Sequence, residues 1–103
     1  MAATNGVFTM NGNNFMFTLV FAQISGTNRI MGVMIESDFS QIHDIDGTCD
    51  GNLISFTRNM RQFGTTQLYV GQATGTSYQG HFSQSNMAGS FSWSAQLLQP
   101  ADA

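Results

Sequence analysis

Apolar residues recur at every second position along most of the chain, in short runs broken by Gly, Asn, Asp and Ser. A period of two belongs to strands with one face buried, because successive side chains point to opposite sides. No stretch holds a convincing helical period. The runs predict eight strands, approximately Val7–Asn11, Phe15–Ile24, Arg29–Ser37, Gln41–Cys49, Leu53–Asn59, Gln67–Thr74, Tyr78–Ser83 and Ala88–Leu98. Links such as SGTN (Ser25 to Asn28), DGN (Asp50 to Asn52) and ATGTS (Ala73 to Ser77) are short and rich in residues that accept positive φ, so sequence neighbours should pair as hairpins. The expected fold is all-β: an eight-stranded antiparallel up-and-down meander barrel, whose closure removes exposed edges, with a sandwich as the alternative. It is one domain over residues 1–103, with 1–5 and 99–103 as flexible ends.

The two faces differ from strand to strand. In the last one, Gly89, Phe91, Trp93, Ala95 and Leu97 oppose Ser90, Ser92, Ser94 and Gln96, a core face against a wet face. In the second, Phe15, Phe17, Leu19 and Phe21 oppose Met16, Val20 and Ala22; in the third, Ile30 and Met34 oppose Met31, Val33 and Ile35. Only one face can point inward. The other should therefore be covered, and the expected cover is a second copy, a homodimer formed through Phe15–Ile24 and Arg29–Ser37; a tail or loop of the same chain is the alternative.

Composition narrows the function classes. Only 9% of residues are charged, there is no Lys, and the cations are Arg29, Arg58 and Arg61. That excludes a phosphate-neutralising basic surface, so no nucleic-acid partner is expected. Net charge is a modest −3, with most acids between Glu36 and Asp50. Cys49 is the only cysteine, so no intrachain disulfide can form and the hydrophobic core must hold the fold. The first residues lack the pattern of a signal peptide and no segment has the length of a membrane-spanning helix. The expectation is a cytoplasmic protein without a membrane partner, or a secreted one if a signal peptide has been removed.

Candidate chemistry is sparse. The stretch HDIDGTCDG, His43 to Gly51, starts like a calcium loop, but the bidentate Glu and flanking helices are absent and the acids alternate with Ile45 and Cys49 as strand residues do. It reads as a strand with Asp44 and Asp46 on one face, followed by a tight turn at Asp50-Gly51. His43 and His81 lack neighbours at metal-ligand spacing, and Cys49 reads as a small buried hydrophobe. No metal or cofactor is expected. Arg58 shares parity with Ile54 and Phe56, which places a guanidinium at one end of the core face. There it should stack on Trp93 or Tyr69 or pair with Glu36, closing the barrel end, or else anchor the head group of a ligand. Nine Phe and seven Met suit packing or an apolar pocket.

At NLISFTRNMRQFGTTQLYVGQ, GHFS and AGSFSW, the C-terminal half resembles small bacterial avidin-like and lipocalin-like (calycin-type) barrels. That resemblance implies an eight-stranded meander whose open end takes a small ligand. Biotin binders line their pocket with several Trp where this chain has Trp93 alone, and the N-terminal Gly-x-Trp of lipocalins is missing, so no biotin site is implied. The expected function is a small-molecule-binding barrel that holds a largely apolar ligand in a Phe/Met-lined interior, through Arg58, Phe56, Tyr69, Phe82, Phe91 and Trp93. Alternatives are a lectin-like carbohydrate binder and a small cyclase- or isomerase-type barrel enzyme using His81 or Glu36.

Overall fold

The computed structural model describes residues 6–100, with the side chains of 99 and 100 excepted. Eight strands, β1 (Gly6–Gly12), β2 (Phe15–Gln23), β3 (Arg29–Glu36), β4 (Ile42–Asp50), β5 (Leu53–Met60), β6 (Thr65–Thr74), β7 (Ser77–Gln84) and β8 (Phe91–Pro100), form one closed antiparallel barrel in sequence order. The up-and-down barrel is the architecture that the alternation predicts. β8 begins at Phe91 instead of Ala88, because Gly89 has φ 91° and turns the chain before the strand starts. It continues to Pro100, two residues into the segment expected as an end; residues 1–5 and 101–103 lie outside the described residues. A single 3-10 turn, Arg61–Phe63, joins β5 to β6 where the sequence suggests no helix. No helix among the described residues is long and apolar enough to cross a membrane.

Tight turns set the register. Asn13 and Asn14, both at positive φ (50° and 69°), connect β1 to β2, the conformation of a primed two-residue hairpin. In the HDIDGTCDG segment the turning pair is Gly51-Asn52, one residue later than expected, with Gly51 at φ 61° and Asp50 already paired with Leu53. Because consecutive turns alternate between the two barrel ends, the β1–β2, β3–β4, β5–β6 and β7–β8 links share one end. We call it the mouth.

The inward faces make a packed interior. Phe56, Tyr69 and Phe82 are cross-strand neighbours on β5, β6 and β7. Their rings stack at 4.9 Å and 4.6 Å, and Trp93 meets Phe56 and Tyr69 edge-on at 5.8 Å from each. Towards the opposite end, Phe8 stacks on Phe21 at 5.1 Å, with Tyr78 tilted against Phe8 and edge-on to Phe21. Such aromatic pairs contribute about 0.5–1.5 kcal/mol each beyond the area they bury.

The wall gives way where the indole needs room. Gly71 and Gly80 are paired across β6 and β7, and Gly80 also pairs with Trp93. A Cβ on Gly71 would lie 2.6 Å from Trp93 Cζ2, and one on Gly80 would run into the Val70 carbonyl to which the indole N–H donates at 3.1 Å. Gly80→Ala is therefore expected to cost about 1–3 kcal/mol of folding free energy by overpacking. Urea unfolding should show the loss, with Ser83→Ala on the outer face of the same strand nearly neutral.

Candidate functional site at the barrel mouth

One layer above the aromatic stack, the inward positions turn polar. Arg58 pairs directly with Gln67, and Gln67 with Gln84, while Glu36 on β3 pairs with Phe17. His43 joins them diagonally, two residues from Ile45, the partner of Arg58. Strand parity therefore delivers a ring of polar side chains to the mouth end of a dry core.

Arg58 is its centre, only 3% exposed. Its Nε donates to His43 Nδ1 at 3.0 Å and its Nη1 to Gln67 Oε1 at 3.1 Å. The guanidinium carbon lies 4.8 Å from the centre of the Phe17 ring. Such a desolvated cation–π contact contributes about 2 kcal/mol. Glu36 Oε1 stands 3.8 Å from Nη2, an ionic contact too long for a hydrogen bond, and Nη2 has no hydrogen-bond partner among the described residues. The closure contact expected with Glu36 thus forms as an ion pair; Phe17, not Trp93 or Tyr69, supplies the aromatic face.

The surrounding groups are held in fixed roles. Tyr69 Oη donates to Gln67 Oε1 at 2.7 Å, and burial pushes its pKa up to about 12, so it acts as a donor. Gln67 Nε2 passes the chain to Gln84 Oε1 at 2.6 Å, and Gln84 Nε2 to Asn86 Oδ1 at 2.7 Å. His43 accepts at Nδ1 and so is neutral with its proton on Nε2. Burial, then the Arg58 charge, holds its pKa below the usual imidazole value, against the opposing pull of Glu36 and Asp44.

An open cleft of about 330 Å³ lies over this ring. Arg58, Gln67 and Tyr69 form its polar side; Phe15, Phe17, Phe82, Phe91 and Met87 form its apolar side, and Glu36 stands at the border. Large exposed apolar side chains also ring the mouth: Phe15 at the start of β2, and Phe39, Phe63 and Met87 in the other three links. Phe39 is 75% exposed and sits at φ 59°, a left-handed conformation costly for a bulky residue, in a turn where Ser40 N donates to Asp38 Oδ1 at 2.9 Å.

Four of the six residues expected to bind ligand, Arg58, Tyr69, Phe82 and Phe91, line the cleft together. Phe56 and Trp93 do not reach it. They belong to the packed layer beneath, which borders the cleft through Tyr69 and Phe82. Sequence reasoning missed Gln67, His43 and Phe17 as partners of the guanidinium; their inward parity was visible, but which strands meet was not.

The remaining candidates lie elsewhere. Cys49 is buried towards the other end with Sγ 3.8 Å from Tyr78 Oη, and burial pushes the thiol pKa up, away from a nucleophile's needs. Asp44 and Asp46 point outward and pair with Arg61 at 3.0 Å and with Arg29 at 2.9 Å. Among the described residues no three His, Cys, Asp or Glu side chains converge as metal ligands. His81 is on the outer wall, beside a shallow polar groove of about 580 Å³ shared with Asn11, Asn14, Gln79, Ser92 and Ser94.

The chain matches no family model, no curated protein and no solved structure.

Titration of His43 gives the first test of that geometry. Its folded pKa lies below the unfolded 6.5, so between the two values the unfolded chain binds more protons and stability rises with pH. Stability is full above pH 6.5, declines as the pH drops below it, and the loss is complete once the folded value is passed. Asp38 and Asp46, held below their usual 3.8 by bonds from Ser40 and Arg29, act only in more acidic solution. Thermal melts of the wild type should show this decline. His43→Gln, whose amide oxygen can still accept from Arg58, should flatten it.

Proposed function

We propose that this protein is a small-molecule-binding barrel that takes a compact, largely apolar molecule bearing one polar head group at its mouth. The observation that carries the reading is Arg58 Nη2, buried on the polar side of the cleft without a hydrogen bond. A buried donor left unpaired costs about 1–3 kcal/mol or more when charged, and a ligand acceptor would recover that cost. The Phe and Met wall beside it offers the apolar half of the contact. The resemblance to avidin-like and lipocalin-like barrels supports binding at an open end, here above the aromatic layer and not within it.

Catalysis has less support. His43 Nδ1 is engaged by Arg58, Tyr69 is held protonated, and His81 faces away from the cleft. Sugar binding would use the groove beside His81; Trp93 borders that groove but is only 3% exposed, its ring packed against Phe56 and Tyr69, so it offers little stacking surface there. Heteronuclear NMR with a panel of amphipathic molecules tests the proposal: shifts should cluster at Phe17, Arg58, Tyr69 and Phe91. Shifts confined to the outer wall, or none, would overturn it.

A second copy of the chain is the partner we propose for the outer face of β2 and β3. Val20 pairs with Val33, Thr18 with Ile35 and Ala22 with Met31, so the outward apolar side chains form one patch. The charges beside it are compensated, Arg29 by Asp46 in a bidentate pair and Asp44, the cross-strand partner of Val33, by Arg61, so two copies meeting there would bring no uncompensated charge together. A closed barrel has no free edge to pair, hence the contact must be face to face. Light scattering at high micromolar concentration should return a dimer, and Val33→Glu should return a monomer with little change in unfolding midpoint.

A further inference from the structure

Resting on the mouth-binding reading, we propose that the ligand's head group is uncharged and both donates and accepts a hydrogen bond, as a primary amide or an alcohol does. A buried guanidinium and a carboxylate that is 32% exposed stand at a spacing no hydrogen bond spans. Arg58 Nη2 is a donor without an acceptor, and Glu36 Oε1 is an acceptor 3.8 Å away. The pair is compensated in charge but does not meet in a hydrogen bond.

Glu36 is restrained from closing that distance. Its other oxygen, Oε2, accepts from Ser40 Oγ at 2.9 Å, while the Ser40 backbone N–H is bound to Asp38 Oδ1 at 2.9 Å. Glu36 N in turn donates to Gln41 O at 3.1 Å, so the carboxylate is tethered by one bond from a β3–β4 turn that is itself hydrogen-bonded. Arg58 is equally fixed, by His43, Gln67 and the Phe17 ring. Donor and acceptor are thus presented at a spacing set by two independent scaffolds.

A hydroxyl oxygen or an amide placed off the line between Nη2 and Oε1 can reach both at ordinary hydrogen-bond length, about 2.7–3.0 Å. It accepts from the guanidinium and donates to the carboxylate. A carboxylate head group satisfies Nη2 but brings a second negative charge against Glu36, with Asp38 in the adjoining turn. An ammonium head group satisfies Oε1 but meets the guanidinium. In a partly desolvated cleft each like-charge contact is screened less than in water, so the neutral group is favoured over both ions. His43, neutral and already accepting from Arg58, does not alter this balance.

The experiment uses octanamide, octanoate and octylamine as probes of one chain length, titrated by calorimetry and NMR into the full chain and into Glu36→Gln. In the wild type octanamide should bind at least about tenfold more tightly than octanoate or octylamine, as the loss of a charge-assisted hydrogen bond implies. In Glu36→Gln, where Arg58 loses its counter-charge, octanoate should overtake octanamide. A second variant, Ser40→Ala, frees the carboxylate to close on Arg58 and should weaken octanamide at least severalfold with the fold intact. Octanoate or octylamine binding as tightly as octanamide in the wild type, or an unchanged ranking in Glu36→Gln, would overturn the head-group inference and leave the mouth reading standing. Absence of any shift at the mouth with all three probes would overturn both.

Discussion

Closure of the sheet is the constraint from which the rest follows. β1 pairs with β8 from Gly6–Pro100 to Gly12–Trp93, with a register shift at Val7/Phe8 that adjusts the final ladder. Through this contact between the chain's two ends every strand gains two neighbours, and no edge is left to recruit another chain. It also gives each strand one inner and one outer face. The inner faces of eight strands enclose a space that side chains can fill, so the interior is dry and a charge within it can reach water only near an end.

The mouth is where that restriction is used. Beneath it the Phe56–Tyr69–Phe82 stack and the Trp93 ring fill the cross-section; above it the next inward positions are Arg58, Gln67 and Gln84. A guanidinium one layer deeper would lose access to Glu36 and be stranded among rings, while one layer outward it would be solvated and weakly oriented. Position 58 lies between these limits. It is buried enough for its few partners to count strongly and close enough to solvent for a small molecule to meet it.

How much of this was legible in the sequence depends on distance along the chain. Period-two alternation reveals each strand and its inner face from local residues alone, which is why Ile54, Phe56 and Arg58 could be placed together and the acids of HDIDGTCDG assigned to a strand. The start of β8 was misplaced because AGSFSW continues the alternation through a residue, Gly89, whose positive φ no pattern of polarity reports. Depth was the harder problem. Phe56 and Trp93 share aromatic character and inward parity with Tyr69 and Phe82, and only strand tilt and stagger decide which rings line a cleft and which plug the floor below it. The partners of Arg58 required register between separate hairpins: Ile45 opposite Arg58 brings His43 to Nε, a relation that neither segment contains alone.

The two ends of the barrel finally differ in what they leave unresolved. At the far end Phe8, Phe21, Tyr78 and Cys49 pack into one another, and the polar Tyr78 Oη and Cys49 Sγ lie 3.8 Å apart. At the mouth a cation is held by a ring face, an imidazole and an amide, with its carboxylate partner tethered just out of hydrogen-bond reach. An apolar side chain of similar volume at position 58 would fill the same space without that electrostatic cost, since a buried charge is a poor stabiliser compared with a well-packed hydrophobe. Local cost concentrated at the one end that also carries an open cleft, an apolar rim and a left-handed Phe39 is the arrangement expected of a binding site, where stability is spent on orientation.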